Sequence, residues 1–202
     1  MNFLAVDTSG KYLSVIAYSN GKEYKTFLPD CALKHSVLLM QEIDGAMKRA
    51  NLTPQDCDFF AAVSGPGSFT GIRIGLATVK GMCVALEKPA LSVTAFDTLA
   101  YTEKGALLAL VDAGHHCFYA CGYDGEKNVT LPPAFLSREE VDKAIASGDA
   151  PVAASALFEG CRAVDPSNGL LHAVLAKSSE LVSPSALTAL YLRKSSAEEN
   201  RV

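Results

Sequence analysis

The chain has 202 residues, 49% hydrophobic and 20% charged, with a formal net charge of −4 and a pI near 5.6. That composition belongs to a folded globular protein and argues against disorder, and the acidic balance argues against a chain that grips nucleic acid by itself, because such binding rests on cations at phosphates. Six cysteines without framework spacing point to reduced thiols, while a strand-like N-terminus without a basic leader, and no apolar run approaching membrane-spanning length, point to the cytoplasm and no membrane.

Phe3 to Val6 read as a buried strand, Asp7-Thr8-Ser9-Gly10 as a turn, and Tyr12 to Ser19 as a second strand. Asn20-Gly21 is a strong hairpin signal and leads into a third strand over Lys22 to Phe27. A helix fits His35 to Ala50, with Leu39, Ile43, Ala46, Met47 and Ala50 along one apolar face. Asp58 to Ser64 is a further strand, Ser68 or Thr70 can cap a helix running to about Leu86, and Pro89 stops it before a strand at Ala90 to Val93.

The segment V-S-G-P-G-S-F-T-G-I-R-I-G-L-A-T-V-K-G, residues 63–81, is the most informative stretch. Gly71 and Gly75 share a helix face, and each costs about 1 kcal/mol of helix propensity against alanine. A close approach must offset that loss, by a phosphate at the helix N-terminus or by a helix packed on the bare stripe. The Gly65-Pro66-Gly67 turn is no Walker loop, since no Lys-Ser or Lys-Thr follows Gly71, and its spacing overshoots the dinucleotide fingerprint by one residue. Glycines beyond the reach of a phosphate favour a tight turn and a packing face.

Near residue 106 the pattern restarts with a strand at Leu107 to Val111, then Asp112, a four-residue turn Ala113–His116, a strand at Cys117 to Tyr123 and a turn at Asp124-Gly125. Val111-Asp112 lies over Val6-Asp7, and Tyr123 over Tyr18. Ser137 and Glu140 form a capping box, Pro132-Pro133 breaks the second half, and the pattern weakens after Pro151. Two such copies have the layout of an α/β actin-like ATPase (ribonuclease H-like) duplicated fold with a reduced second half. The expected division is residues 1–102, carrying partner-binding helices, and 103–202, whose C-terminal segment packs back on the first.

S-G-P-G-S-F-T-G-I-R-I-G at 64–75, D-T-S at 7–9, His35-Ser36 and Y-L-R-K-S-S-A-E at 191–198 together resemble the TsaB (YeaZ) family over nearly the whole chain. The resemblance implies a role in placing the threonylcarbamoyl group on the adenosine beside the anticodon of tRNA. The chemistry would belong to a paralogous partner, TsaD, with the small ATPase TsaE joining and tRNA reached only through the complex. The chain would be a non-catalytic partner, homodimeric when alone, needing no cofactor of its own although ATP or ADP can act in the complex. The helices pairing across the subunit boundary would present His35, Leu39, Ile43, Met47, Gly71, Ile72, Gly75, Thr78, Val79 and Met82. A metal-holding paralogue carries two histidines four apart; here His35 is followed by Leu39. Ala113-Gly114-His115 also departs from relatives, which usually carry an arginine after the aspartate and alanine.

Other readings compete. Asp7, Thr8 and Ser9, with Asp112, are candidates to meet a nucleotide phosphate and its hydrated cation, or Asp7–Ser9 is a turn satisfying its own backbone. His115, His116, Cys117 and Cys121 invite zinc, or are ordinary strand residues. His172 reads as a satisfied structural residue, and Arg73 and Lys80 as contacts to a partner carboxylate or tRNA phosphate, or as a solvated face. The enzyme alternative is a weak ATPase using Asp7 and Asp112 or a glycoprotease-like metallopeptidase. His35-Ser36 does not support a hydrolase, because adjacent helical residues point about 100° apart.

Overall fold

A computed structural model describes residues 1–146 and 148–193; the Lys194–Glu198 part of the C-terminal motif lies outside the described residues. The first half builds β1 (Asn2–Asp7), β2 (Leu13–Ser19), β3 (Lys22–Leu28), α1 (His35–Arg49), β4 (Phe59–Val63), α2 (Phe69–Leu86), β5 (Ala90–Val93) and α3 (Ala95–Ala100). The second builds β6 (Leu107–Gly114), β7 (Cys117–Tyr123), β8 (Val129–Ser137), α4 (Arg138–Ile145), β9 (Ala150–Ala153), β10 (Arg162–Ala163) and α5 (Pro166–Ala176). The sheet orders, β3-β2-β1-β4-β5 and β8-β7-β6-β9-β10, are the same topology written twice. In each, the first three strands are antiparallel and the last two add in parallel. The second copy is reduced: α4 has 8 residues and β10 only 2.

Alternation along β1 explains the layering. Leu4 and Val6 face α1 and α2, joining Leu39, Ile43, Ile72, Leu76 and Val79 in one core. Phe3 and Ala5 face the opposite way, toward Leu170, Ala173 and Val174 of α5. Phe96 and Leu99 of α3 continue into Leu107, Ala109 and Cys121 of the second sheet, whose far side is closed by Val141 of α4. The order of layers is therefore α1/α2, first sheet, α3/α5, second sheet, α4.

Four expectations need correction. The chain does contain an apolar helix of membrane-spanning length: α2 runs 18 residues and is apolar enough to cross a bilayer. It packs one face on the first sheet instead, burying Gly71, Ile72, Gly75, Leu76, Val79 and Cys83. Pro132-Pro133 does not break the second half but lies inside β8, at a register shift on an edge strand, where a missing N–H costs no ladder bond. The turn after Asp112 is shorter than four residues, because β6 continues to Gly114, which pairs with Cys117 across His115 and His116, both at positive φ.

The fourth correction shifts the internal alignment. Phe3 pairs with Tyr18 and Leu107 with Tyr123, so the ladder places Val111, not Asp112, opposite the position of Asp7. A one-residue slip changes the face on which a side chain falls, so the two aspartates are not matched copies.

Candidate functional site

Ser68 is the N-cap of α2, its hydroxyl accepting from Gly71 N at 3.2 Å. The turn before it leans on β1's end: Ser68 N donates to Ser9 O at 2.8 Å. Gly67, at φ +151°, faces the same carbonyl so closely that a Cβ would overlap it. A Cβ on Gly71 would overlap Thr8 O, and one on Gly75 would lie 2.5 Å from Thr8 Oγ1. Thr8 completes the joint by donating its hydroxyl to Gly71 O at 2.7 Å. The glycine stripe is thus filled by the chain's own Asp7–Ser9 turn.

This overturns the proposed partner face. His35, Leu39, Ile43, Met47, Gly71, Ile72, Gly75 and Val79 are all buried in the monomer, and only Thr78 and Met82 are partly accessible. The outward face carries other residues. On α2 they are Thr70, Arg73, Ala77, Gly81, Val84 and Ala85, flanked by half-buried Ile74 and Thr78; on α1 they are Ser36, Val37, Met40, Gln41, Asp44, Lys48 and Arg49, with the apolar ones in its first turns. Val84 is 68% exposed, Val37 66% and Met40 56%, and a Cβ on Gly81 would meet nothing within 4 Å. Both helices cover the same side of the first sheet, and their outer layer carries a small-and-apolar part made of Val37, Met40, Ala77, Gly81, Val84 and Ala85. Sequence reasoning missed this stripe although its signal was present: α2 carries Ala77, Val84 and Ala85 away from its glycine face, so packing that face leaves apolar residues over on the other side.

A cleft of about 590 Å³ opens between the two halves, lined by Ser9, Tyr12, His35, Gly67, Ile74, Leu110, Asp112 and Ser155 among others. Asp112 and Ser9 reach it, whereas Asp7 and Thr8 do not, so the four candidate nucleotide residues do not converge. Asp7 is buried, with Oδ1 accepting from Ser9 N at 2.8 Å and Ser9 Oγ at 2.6 Å, and Oδ2 accepting from the Tyr12 hydroxyl at 3.0 Å. The Tyr12 ring covers Gly10, and His35 Nε2 donates to Tyr12 O at 2.9 Å. Asp112 is exposed and accepts from Gly114 N. The donors and acceptors a phosphate and hydrated cation would use are therefore bound to one another, and the set fits that group poorly.

Burial raises the Asp7 carboxyl above the usual aspartate value of 3.8; the Ser9 and Tyr12 hydrogen bonds and the charge of His35 pull the other way without cancelling it. An acid whose folded pKa is raised binds its proton more tightly in the folded state, so it contributes stability at low pH that is lost as pH rises from 3.8 through the folded value. Asp7→Asn is expected to remove this slope, leaving the variant no less stable than the parent at pH 8 but less favoured at pH 4. Paired thermal melts at the two pH values check it.

The remaining candidates stay apart. His115 and His116 are exposed, Cys121 is buried with its thiol pushed up by burial, and His172 lies on the solvent side of α5 rather than in a satisfied interior position. Among the described residues no group of three or more His, Cys, Asp or Glu side chains is placed to hold a metal ion.

Residues 11–160 match the family described as TsaD: tRNA N6-adenosine threonylcarbamoyltransferase. The chain is 30% identical over 100 residues to the tRNA threonylcarbamoyladenosine biosynthesis protein TsaB of Bacillus subtilis, an alignment covering 50% of this chain and 44% of that one. It is 29% identical over 133 residues to TsaB of Escherichia coli, covering 63% and 57% respectively. The chain thus spans about half the length of the curated relatives it matches. YeaZ from Pseudomonas aeruginosa shares the fold at a TM-score of 0.79 and 23% identity, over 95% of this chain and 99% of that one. The duplicated sheets are those of an actin-like ATPase fold, and the chain belongs to the TsaD family, among its TsaB (YeaZ) members.

Proposed function

We propose that this chain is a non-catalytic partner in threonylcarbamoyladenosine biosynthesis on tRNA, docking a TsaD-type paralogue through the outer face of α1 and α2. The observation that carries the reading is the state of α2. After it has buried Gly71, Ile72, Gly75, Leu76, Val79 and Cys83, its other side still exposes Ala77, Gly81, Val84 and Ala85, beside Val37 and Met40 of α1. A cluster of exposed apolar side chains beside small residues that allow close approach marks an interaction surface. In this reading TsaE and tRNA meet the assembled complex, a second copy of the chain takes the same face when no paralogue is present, and assembly is cytoplasmic. Any ATP or ADP is handled by the complex, since Asp7 and Ser9 are committed to one another and the Thr8 hydroxyl to Gly71 O. The metallopeptidase alternative has only His35 on α1, whose ring nitrogen is spent on Tyr12.

Gly75→Leu cannot test this docking, because its side chain would be driven into Thr8 within the monomer. Val84→Glu can, because Val84 is exposed. Burying an unpaired carboxylate at an interface core costs several kcal/mol, so this variant is expected to keep its circular dichroism and melting temperature while losing co-elution with TsaD. Undiminished co-elution would refute the site.

A further inference from the structure

Arg73 sits on the outward stripe of α2, one residue from Ile74 and four from Ala77. Its Nε donates to the Tyr191 hydroxyl at 2.9 Å, and its guanidinium lies 5.8 Å from the Phe69 ring centre and 5.7 Å from that of Tyr191. Phe69 and Tyr191 stack at 4.6 Å. Tyr191 cannot drift, because its neighbours are anchored on both sides. Leu190 N donates to Ser64 O at 2.8 Å, Leu190 and Leu192 pack into the core of the second half, and Leu187 is buried in that of the first. The far end of the chain thus returns to hold one arginine in place.

Such support gives no evident advantage to a solvated surface charge, whose usual state is a mobile side chain. It has a consequence at an interface, where a cation already ordered loses little entropy on binding. Lys80 follows two turns later on the same flank of α2. Neither Arg73 nor Lys80 has a carboxylate within ion-pair distance among the described residues, although the chain carries 22 acidic side chains against 18 basic ones. An acidic chain that leaves two cations uncompensated beside its apolar docking stripe is complementary to acidic groups arriving from outside.

We propose that Arg73, positioned by Tyr191, is the charged specificity contact of the docking face, and that the partner subunit presents carboxylates at two-turn spacing to Arg73 and Lys80. The proposal rests on the docking reading above. Arg73's remaining donors stay available at the stripe's edge, so a carboxylate can join without displacing Tyr191. Contacts of this kind steer association and set partner choice more than they set total affinity.

The test measures association of the purified chain with TsaD at 50 and 300 mM NaCl. Arg73→Glu is expected to slow association by about tenfold at 50 mM and to flatten its salt dependence. Arg73→Gln, which removes only the charge, gives the same flattening with a smaller loss. Tyr191→Phe keeps the charge and frees the guanidinium, so it weakens binding about threefold while the salt slope persists. Unchanged association and slope for Arg73→Glu and Arg73→Gln, beside a Val84→Glu variant that no longer binds, would overturn the role of Arg73 alone. Full binding by Val84→Glu would overturn the docking reading and this proposal with it.

Discussion

Gly71→Ala is expected to lower folding stability by about 3 kcal/mol, a drop of about 6–12 °C in melting temperature for a chain of this size. Helix propensity alone predicts the reverse, a gain of about 1 kcal/mol. The backbone carbonyl of Thr8 decides the sign. It lies where the new methyl must go, and it cannot swing aside as a flexible side-chain end can. Thr8 is held by its own hydroxyl bond to Gly71 O, and its neighbour Ser9 by Asp7 and Ser68. Relief requires α2 to lift off the first sheet, exposing Ile72 and Val79. Gly81→Ala provides the opposite case on the same helix. It projects into open space, so only the propensity term acts, and about 1 kcal/mol of added stability is expected. Urea unfolding of the two variants compares them directly. Equal effects would mean that the Gly71 face does not point inward.

The same pair of glycines shows what a sequence can and cannot disclose about a site. Spacing of four places Gly71 and Gly75 on one helix face and demands a close neighbour. It does not say whether the neighbour is another subunit or the chain's own turn sixty residues earlier, because a bare stripe accepts either. The first half was otherwise legible: the short apolar runs of β1 and β2, Asn20-Gly21 and the Ser68 cap all appear where local chemistry puts them.

Other elements were less so, for separate physical reasons. α3 has 6 residues, too few for periodicity, and all are buried, so no amphipathic pattern exists; only the Thr94 and Asp97 capping box marked it. Asp165-Pro166 likewise announced α5, whose helix lies between two layers and shows little contrast between its faces. Asp112 was aligned to Asp7 by residue type, yet strand pairing obeys ladder register, and the bulge between Asp112 and Gly114 lets the two disagree by one position. Val37, Met40 and Val84 were hidden for the opposite reason: apolar residues in a helix are ordinarily assigned to the core.

Asp97→Ala is expected to cost about 3 kcal/mol, through loss of a group that ties α3, the end of α5 and β7 together. Asp97 is only 2% exposed, and its Oδ1 accepts from the Tyr123 hydroxyl at 3.1 Å. Its Oδ2 accepts from Thr94 N, Thr94 Oγ1 and Lys177 Nζ, each at 2.8 Å. Truncation therefore removes the carboxylate half of the α3 capping box, strands a buried phenol on β7 and leaves the Lys177 ammonium without its counter-ion just past the end of α5. Lys177 is 27% exposed and can turn toward water, which keeps the loss at the lower end of that for a broken buried pair. Asp97→Asn retains an acceptor and removes the charge, so a smaller loss of about 1–2 kcal/mol is expected. Location distinguishes this effect from general loosening. Tyr123 belongs to the second sheet, on which α3 packs, whereas α5 backs the first, so the carboxylate is a rivet between the halves. Hydrogen exchange in Asp97→Ala should quicken in β6 and β7 before it does in β1 and β4. Uniform quickening across both sheets would show that Asp97 supports α3 alone and joins nothing.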